Sequence, residues 1–382
     1  MKWLVSISAA AVMAAAAVCP LGSLGAEYPQ VQAKAAAVIS ADTGEVVYAL
    51  NASMKLPMAS TTKIMTTLLC LESGGLYEEF TVDSDAIKVE GSSMGLQEGD
   101  IVTKYALCCG MLLPSGNDAA NAAAVRIAGS MEAFAEMMND RAREMGLSRT
   151  YFVTPSGLEG EGHGSSAADM ALLAREALRN DVFRSICSQS SMKVKFGSPP
   201  YDRWLRNTNK LLGMFDGVYG VKTGFTDEAG RCLVSACERE GKDLICVTLN
   251  DRNDWNDHMA LYDSCFENVR LAEIGLPRDM TADIVGGNAD KLRIVPEKDT
   301  VSVTALSANE EDFTFTVLSR PFMYAPVREG EKVGSLSVRY LGREVERVDL
   351  LAGETVDASH GDKGSKSLFQ KIMDKIGSFF SH

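Results

Sequence analysis

The segment Pro57–Thr66 reads PMASTTKIMT, and the apolar run LLCL follows it closely. This pattern predicts a largely buried helix over Thr61–Leu71 with Ser60 at its start. Residues three positions apart lie one above the other on a helix, so Lys63 is expected to reach the Ser60 hydroxyl. The pair is either a capping serine followed by a solvated lysine, or a nucleophile with its base.

A second motif, SGN at 115–117, stands between two predicted helices, Tyr105–Leu113 and Asp118–Ala128. This position places Ser115 in a tight loop. A hydroxyl there can relay a proton between a base and a leaving group, and the Asn117 amide can bind a substrate carbonyl. The alternative is that these residues only cap the following helix.

A third motif, KTG at Lys222–Gly224, ends a predicted strand. An ammonium and a hydroxyl together can bind a free carboxylate, and small residues let a substrate backbone lie beside the strand. The backbone N–H of Phe225 and that of Ser60 can serve as the two oxyanion donors for a tetrahedral intermediate. Lys63 must be neutral to act as a base, and both burial and a charge on Lys222 would lower its pKa.

Each motif taken alone is a weak signal. Ser190–Lys193 (SSMK) is a second SxxK and Ser307–Asn309 (SAN) is a second SxN, whereas KTG occurs once. The presence of all three motifs in this order, each in a suitable context, favours one active site over coincidence.

Hydrophobic periodicity predicts strands at both ends of the first part of the chain and helices between them. AAAVIS and EVVYAL form one predicted hairpin around ADTG, and RCLVSACE and DLICVTLN form another around Glu238–Lys242; GVYGVKTG is a predicted strand. The remaining predicted helices are Met131–Met145, Ala167–Leu178 and one near Asp257–Ile274. This arrangement predicts an α+β domain whose terminal strands share one antiparallel sheet.

The chain of 382 residues is long enough for two domains, which the patterning places at residues 27–277 and 281–356. The second is predicted to be a small all-β domain, because short alternating runs follow LPRDM at 276–280. A polar linker at 357–366 leads to a predicted amphipathic helix at 367–382. That helix carries phenylalanines on one face and lysines on the other, which favours a location at a membrane surface over packing on the protein or a partner.

The first residues, MKWLVSISAAAVMAAAAV, have the layout of a secretory signal peptide, predicted at 1–26. A permanent N-terminal anchor is the alternative, which the short, alanine-rich run disfavours. A net charge of −13 argues against a nucleic-acid partner. Neither the cysteines nor the four histidines show the spacing of a metal site, so no metal or cofactor is expected.

The three motifs together resemble the signature of penicillin-recognising acyl-serine transferases. Within that group the chain resembles the low-molecular-mass penicillin-binding proteins that are serine-type D-alanyl-D-alanine carboxypeptidases, typified by penicillin-binding protein 5. The stretches LLPSGNDAANAAA and VKTGFTDEAGRCLVSA carry the resemblance beyond the motifs. It implies a β-lactamase/transpeptidase-like domain, an antiparallel sheet with a helical cluster, and it covers essentially the whole mature chain.

The resemblance also implies roles for individual residues. Ser60 is the acylated nucleophile, Lys63 is its base, and Ser115 and Asn117 form the second element. The residues implied to bind the terminal carboxylate are Lys222, Thr223, Gly224 and, with less support, Thr226. Many relatives carry a polar residue at the position of Phe225. An arginine downstream assists with the carboxylate in the family, and Arg252 is the nearest candidate.

The implied reaction removes the terminal D-alanine from pentapeptide stems of peptidoglycan at the outer face of the cytoplasmic membrane, and β-lactams inhibit it by acylating Ser60. A β-lactamase is the nearest alternative, but Glu159 and Glu161 lie in LEGEGHG, which lacks the context of a deacylating glutamate. A non-catalytic wall-binding protein on the same fold is a further alternative. His163 is expected to order its loop, not to take part in catalysis.

Overall fold

The computed structural model of the chain describes residues 28–306 and 309–359. The seven α-helices in these residues are α1 Lys63–Glu72, α2 Lys104–Leu112, α3 Asn117–Ala128, α4 Met131–Glu144, α5 Ala167–Leu178, α6 Asp181–Cys187 and α7 Asp254–Asn268. The strands are β1 Ala35–Ser40, β2 Val46–Leu50, β3 Glu79–Thr81, β4 Ile101–Thr103, β5 Ser191–Gly197, β6 Pro200–Arg206, β7 Val218–Thr226, β8 Gly230–Arg239, β9 Lys242–Leu249, β10 Arg270–Gly275, β11 Met280–Val285, β12 Lys291–Pro296, β13 Thr300–Ala305, β14 Phe313–Ser319, β15 Phe322–Tyr324, β16 Lys332–Tyr340 and β17 Arg343–Ala352. Short 3-10 helices occupy Ala59–Thr62, Lys210–Gly213 and Glu310–Asp312.

The first compact unit of the described residues extends to Ala272 and also includes residues 302–306. Its main sheet has the order β2-β1-β9-β8-β7, and all of its strand pairs are antiparallel. The N-terminal strand β1 pairs with β9, as the sequence predicts for an α+β domain. Successive side chains on the central strands alternate between two buried clusters. Both faces of the sheet are therefore covered, which explains why β1 is apolar almost throughout.

The helices lie on the two faces of this sheet. Helix α5 packs against β1 and β9 on one face, and α7 packs against β8 and β9 on the other. Helix α1 is central to the helical cluster and contacts α2, α3, α5 and α6. Eight of its ten residues are buried, so its lysine begins the helix inside the protein and not at a solvated end.

The second compact unit contains residues 273–301 and 309–359 among those described. Its six-stranded sheet has the order β14-β16-β17-β12-β11-β15, with β14 and β15 at opposite edges. Every pair is antiparallel except β11 with β15, which is parallel. Alternating buried residues such as Leu336, Val338 and Tyr340 form its core face. The α+β class with a following small all-β part is confirmed.

Several local predictions differ from the structure. Ser60 lies in the 3-10 helix Ala59–Thr62, one turn before α1 begins at Lys63. The helix predicted to reach Ile274 ends at Asn268, and the strand β10 follows it. The β5–β6 hairpin was not predicted, although exposed lysines alternate with the buried Val194 and Phe196 on β5.

The predicted signal peptide at 1–26 and the predicted amphipathic helix at 367–382 lie outside the described residues, as does most of the linker at 357–366. Among residues 28–306 and 309–359, no helix combines the length and apolar character that crossing a membrane requires. All eight cysteines in this part of the chain are buried with free thiols.

Candidate active site

The candidate nucleophile lies on a tightly supported turn. Ala59, just before Ser60, has φ of +48°, and the Thr61 hydroxyl donates a hydrogen bond to Met58 O at 2.6 Å. Two glycines make the turn possible. A Cβ on Gly224 of β7 would lie 3.0 Å from Met58 O, and one on Gly157 would lie 2.1 Å from Ala59 O. Both backbones approach the turn so closely that a side chain has no room.

Gly157→Ala is therefore expected to displace the turn that carries Ser60. We expect a loss of about 3 kcal/mol in the free energy of unfolding, because the clash adds to the cost of φ +86° for alanine. Gly146→Ala is the matched control, since Gly146 also has a positive φ of +73° but no neighbouring atom within 4 Å. Chemical denaturation of both variants measures the difference; equal losses would show that the close approach to Ala59 is unimportant.

Lys63 is completely buried and its amine has three close oxygen neighbours. Nζ lies 2.8 Å from Ser60 Oγ, 2.7 Å from Asn117 Oδ1 and 2.6 Å from the carbonyl oxygen of Ser156. The amide and carbonyl oxygens can only accept hydrogen bonds. A neutral amine has two N–H groups, which these two oxygens use. Its lone pair is then directed at the hydroxyl of Ser60.

The pKa of Lys63 is lowered well below its usual value, first by burial and second by the charge of Lys222, while Asp118 acts in the opposite direction. Burial disfavours the ammonium because it removes its hydration, and a second cation nearby adds repulsion. Both effects predicted from the sequence are thus present. They favour the neutral amine of Lys63 beside a hydroxyl, which is the state that a general base requires.

The SGN segment holds the other side of the site. Ser115 has φ of +66°, an uncommon conformation for a residue with a side chain, and its hydroxyl lies 2.9 Å from Lys222 Nζ. Asn117 uses Oδ1 for Lys63 and donates from Nδ2 to the carbonyl of Glu90 at 2.7 Å. One amide hydrogen of Asn117 thus remains for a substrate carbonyl.

Asp118 fixes the loop beside SGN. Its buried carboxylate accepts hydrogen bonds from the Ser93 hydroxyl at 2.6 Å and from the backbone N–H groups of Met94, Gly95 and Leu96 at 2.9–3.0 Å. These bonds attach residues 93–96 to the first turn of α3. The same loop carries the Glu90 carbonyl that orients Asn117, so Asp118 supports the position of Lys63 indirectly.

The KTG segment forms the third side of the candidate active site. Lys222 is buried, and burial lowers its pKa to about 7. The Thr223 hydroxyl lies 2.7 Å from that of Thr208, and the Thr226 hydroxyl accepts a bond from Ala229 N at 3.1 Å. The hydroxyl proton of Thr226 therefore remains available to a ligand.

Phe225 has a side chain that is 63% exposed and a backbone that faces the open edge of β7. Its partner on β8 is Arg231, whose carbonyl oxygen accepts a hydrogen bond from Asp251 N on the other side of β8 at 2.9 Å. In an antiparallel pair, a residue directs its N–H and C=O to the same side. The N–H of Phe225 is thus directed away from β8, as an oxyanion donor would require.

Other candidate residues lie elsewhere or have other partners. Lys193 of the second SxxK is on β5 and pairs with Asp202 at 3.3 Å. His163 accepts a bond from Val153 N at Nδ1 and lies 2.9 Å from the Thr62 hydroxyl at Nε2, and burial lowers its pKa to about 4. Both ring nitrogens are therefore occupied in ordering the loop. Arg252 is exposed in the turn after β9.

Sequence reasoning did not identify Ser156, Thr208, Glu90 or Asp118. The first three contribute from loops with no recognisable motif, two of them through backbone carbonyls that any residue would supply. Asp118 did carry a signal, since it directly follows SGN and a carboxylate in the first turn of a helix accepts backbone N–H groups readily.

Comparison with known proteins assigns the family. The model for D-alanyl-D-alanine carboxypeptidases, peptidase family S11, matches residues 23–253. The chain belongs to this family. This confirms the resemblance derived from the three motifs and the assignment to the serine-type D-alanyl-D-alanine carboxypeptidases.

Individual relatives extend the match beyond the catalytic unit. The D-alanyl-D-alanine carboxypeptidase DacF of Bacillus subtilis is 32% identical over 338 residues, 85% of each chain. The crystal structure of DacD from Francisella tularensis covers 87% of this chain and 95% of its own, at 26% identity and a TM-score of 0.59. The Streptomyces K15 DD-transpeptidase covers 63% of this chain and 99% of its own, at 29% identity and a TM-score of 0.60.

Proposed function

We propose that this family member cleaves the terminal D-Ala-D-Ala bond of peptidoglycan pentapeptide stems through an acyl-enzyme on Ser60. The observation that carries the proposal is the distance of 2.8 Å between the Ser60 hydroxyl and the buried amine of Lys63. Lys63 removes the hydroxyl proton as Ser60 Oγ attacks the carbonyl carbon of the penultimate D-alanine. The N–H groups of Ser60 and Phe225 bind the oxyanion.

The intermediate collapses when the amine of the terminal D-alanine receives a proton and the C–N bond breaks. Ser115, whose hydroxyl bonds to Lys222 at 2.9 Å, is suited to relay that proton from Lys63 to the leaving amine, which leaves Lys63 neutral again. D-alanine then leaves. Water attacks the ester and gives a proton to the neutral Lys63, which passes it to Ser60 Oγ as the C–O bond breaks. The shortened stem is released with the Ser60 hydroxyl restored.

The carboxylate end of the substrate explains the preference for a terminal residue. Lys222, Thr223 and Thr226 offer an ammonium and two hydroxyls along the open edge of β7, next to the small Gly224. A free carboxylate on the substrate forms an ion pair with the buried ammonium of Lys222. An internal peptide bond would leave this ammonium unpaired, at a large cost in free energy. Asn117 is proposed to bind the carbonyl on the acyl side.

We further propose that the protein acts after export, as a peripheral protein held at the outer face of the cytoplasmic membrane by residues 367–382. Its partners there are the stem peptide as substrate and β-lactams as inhibitors that acylate Ser60. The support is the amphipathic sequence of the last segment.

The direct test is release of D-alanine from a synthetic stem peptide ending in D-Ala-D-Ala. The same peptide with a C-terminal amide is the matched control, and we expect at least about 100-fold lower kcat/KM because the carboxylate contacts are lost. No release of D-alanine from the free-acid peptide and none of D-alaninamide from the amidated peptide would overturn the proposal. A fluorescent penicillin separates the alternatives: rapid loss of the label indicates a β-lactamase, and no labelling indicates a non-catalytic binding protein.

The pH profile of kcat/KM reports on Lys222. Burial lowers the pKa of Lys222 to about 7, so its ammonium is lost at lower pH than that of a solvated lysine. Raising the pH removes the charge that attracts the substrate carboxylate. The value of kcat/KM should therefore begin to fall at a pH well below about 10.5, the usual pKa of a lysine. In Lys222→Arg the charge persists. We expect its alkaline limb to move to higher pH while the acid limb stays; an unmoved alkaline limb would contradict the assignment.

A further inference from the structure

The second compact unit carries an exposed aromatic pair at one edge of its sheet. Phe322 is 43% exposed and Tyr324 is 70% exposed on β15, while Met323 between them is buried. The two rings contact each other at a centroid distance of 5.4 Å. Val285 on the neighbouring strand is the register partner of Tyr324 and is also exposed, at 42%. We name Val285, Phe322 and Tyr324 the edge patch.

The chain leaves the unit beside this patch. Ser359 is the last described residue, and its N–H donates to the carbonyl of Gly286 at 2.8 Å, one residue beyond Val285. Gly287 forms a bridge with Ala358 just before it. The segment that follows therefore begins at the same edge of the sheet as the edge patch.

The chemistry of that segment suggests what the edge patch contacts. The sequence of residues 367–382 predicts a helix with phenylalanines on one face and lysines on the other, the pattern of a helix that lies at a lipid surface. Residues 360–366 can extend over at most roughly 25 Å. A bilayer that receives the tail is thus within short reach of the edge patch. Phe and Tyr side chains suit the boundary between headgroups and acyl chains.

We propose that the edge patch is a second membrane-contact surface, which enters the bilayer interface together with the C-terminal segment. The inference rests on the proposed membrane attachment through residues 367–382. Arg320, exposed two residues before Phe322 and without an ion pair among the described residues, adds a cation that favours anionic lipid. Two contacts of modest strength on one chain bind a surface more tightly than either contact alone.

The first test compares vesicle binding of the full mature chain and two variants. Vesicles contain phosphatidylglycerol and phosphatidylethanolamine. Phe322→Ser with Tyr324→Ser should weaken co-sedimentation about tenfold, because the interface loses two aromatic side chains. Leu318→Ser is the matched control, since Leu318 is 41% exposed on β14, at the opposite edge of the same sheet. Release of D-alanine from a soluble stem peptide should be equal in all three proteins.

The second test measures contact directly. Tyr324→Trp should be quenched by brominated lipid in the vesicles, and Leu318→Trp, roughly 24 Å away across the sheet, should not. If wild type fails to bind vesicles, the membrane attachment itself is wrong. If wild type binds but the double variant binds equally and Trp at 324 is not quenched, the edge patch inference alone is overturned. Self-association lost in the double variant would identify a second copy as the occupant and would also overturn it.

Discussion

Ser60→Ala should abolish covalent labelling by a fluorescent penicillin and reduce D-alanine release by at least about 10⁴-fold. Without Oγ no ester can form, whereas the remaining residues still bind substrate. The variant should fold normally, because Ser60 is partly exposed on its turn and contributes one hydrogen bond in the site, to Lys63. Mass spectrometry of the penicillin-treated protein measures the loss directly.

The chain supplies a matched control for this substitution. Ser190→Ala removes the serine of the second SxxK, which immediately precedes β5, and its labelling and activity should equal those of wild type. Stable labelling of the Ser60→Ala protein would mean that another side chain is the nucleophile. The assignment of the three motifs to one site would then be wrong.

Lys63→Gln should lower the rate of acylation by about 10³–10⁴-fold. Glutamine remains polar and can donate hydrogen bonds within the buried site, but its amide nitrogen cannot accept the proton of Ser60. The loss should therefore appear mainly in kcat and in the rate of penicillin acylation. Non-covalent affinity for the stem peptide should change little. Stopped-flow measurement of penicillin acylation separates these quantities.

Lys193→Gln is the control for the base. Lys193 also stands three residues after a serine, but its side chain is 52% exposed and pairs with Asp202 on the surface. We expect wild-type acylation in this variant. Equal loss in the two lysine variants, or acylation by Lys63→Gln at the wild-type rate, would remove Lys63 from the role of general base. Cooperative unfolding of each protein confirms that the comparison is between folded enzymes.

The Asp118 carboxylate acts both on the loop beside SGN and on the pKa of Lys63. Its carboxylate holds residues 93–96 and tends to raise the pKa of Lys63. Asp118 thus has two opposing effects in this protein. A carboxylate stabilises the loop that orients Asn117, and the same charge opposes the neutral state of Lys63. Burial and the charge of Lys222 outweigh it, since the net shift of the Lys63 pKa is downward.

The motifs, the order of the elements and the fold class could be predicted from the sequence. Hydrophobic patterning located α2 to α5 within a residue or two. Helix α4 presents one regular apolar face, whereas α2 and α3 are long, nearly continuous buried runs. The hairpin of β8 and β9 was equally clear. The end of α7 was not, since apolar residues continue from the helix into β10 and periodicity alone does not separate them over so short a run.

The sequence by itself determined which side chains are proposed to carry the chemistry, because SxxK, SxN and KTG specify residue types in a fixed order. Only the tertiary structure decided that they act on each other. Lys63 and Lys222 are 159 residues apart. Burial lowers the pKa of both, and the charge of Lys222 lowers that of Lys63 further, effects that exist only once α1, α3 and β7 meet. The backbone carbonyl of Ser156 and the close approach of Gly157 and Gly224 likewise have no sequence signature. Backbone atoms are common to every residue, and folding alone places them.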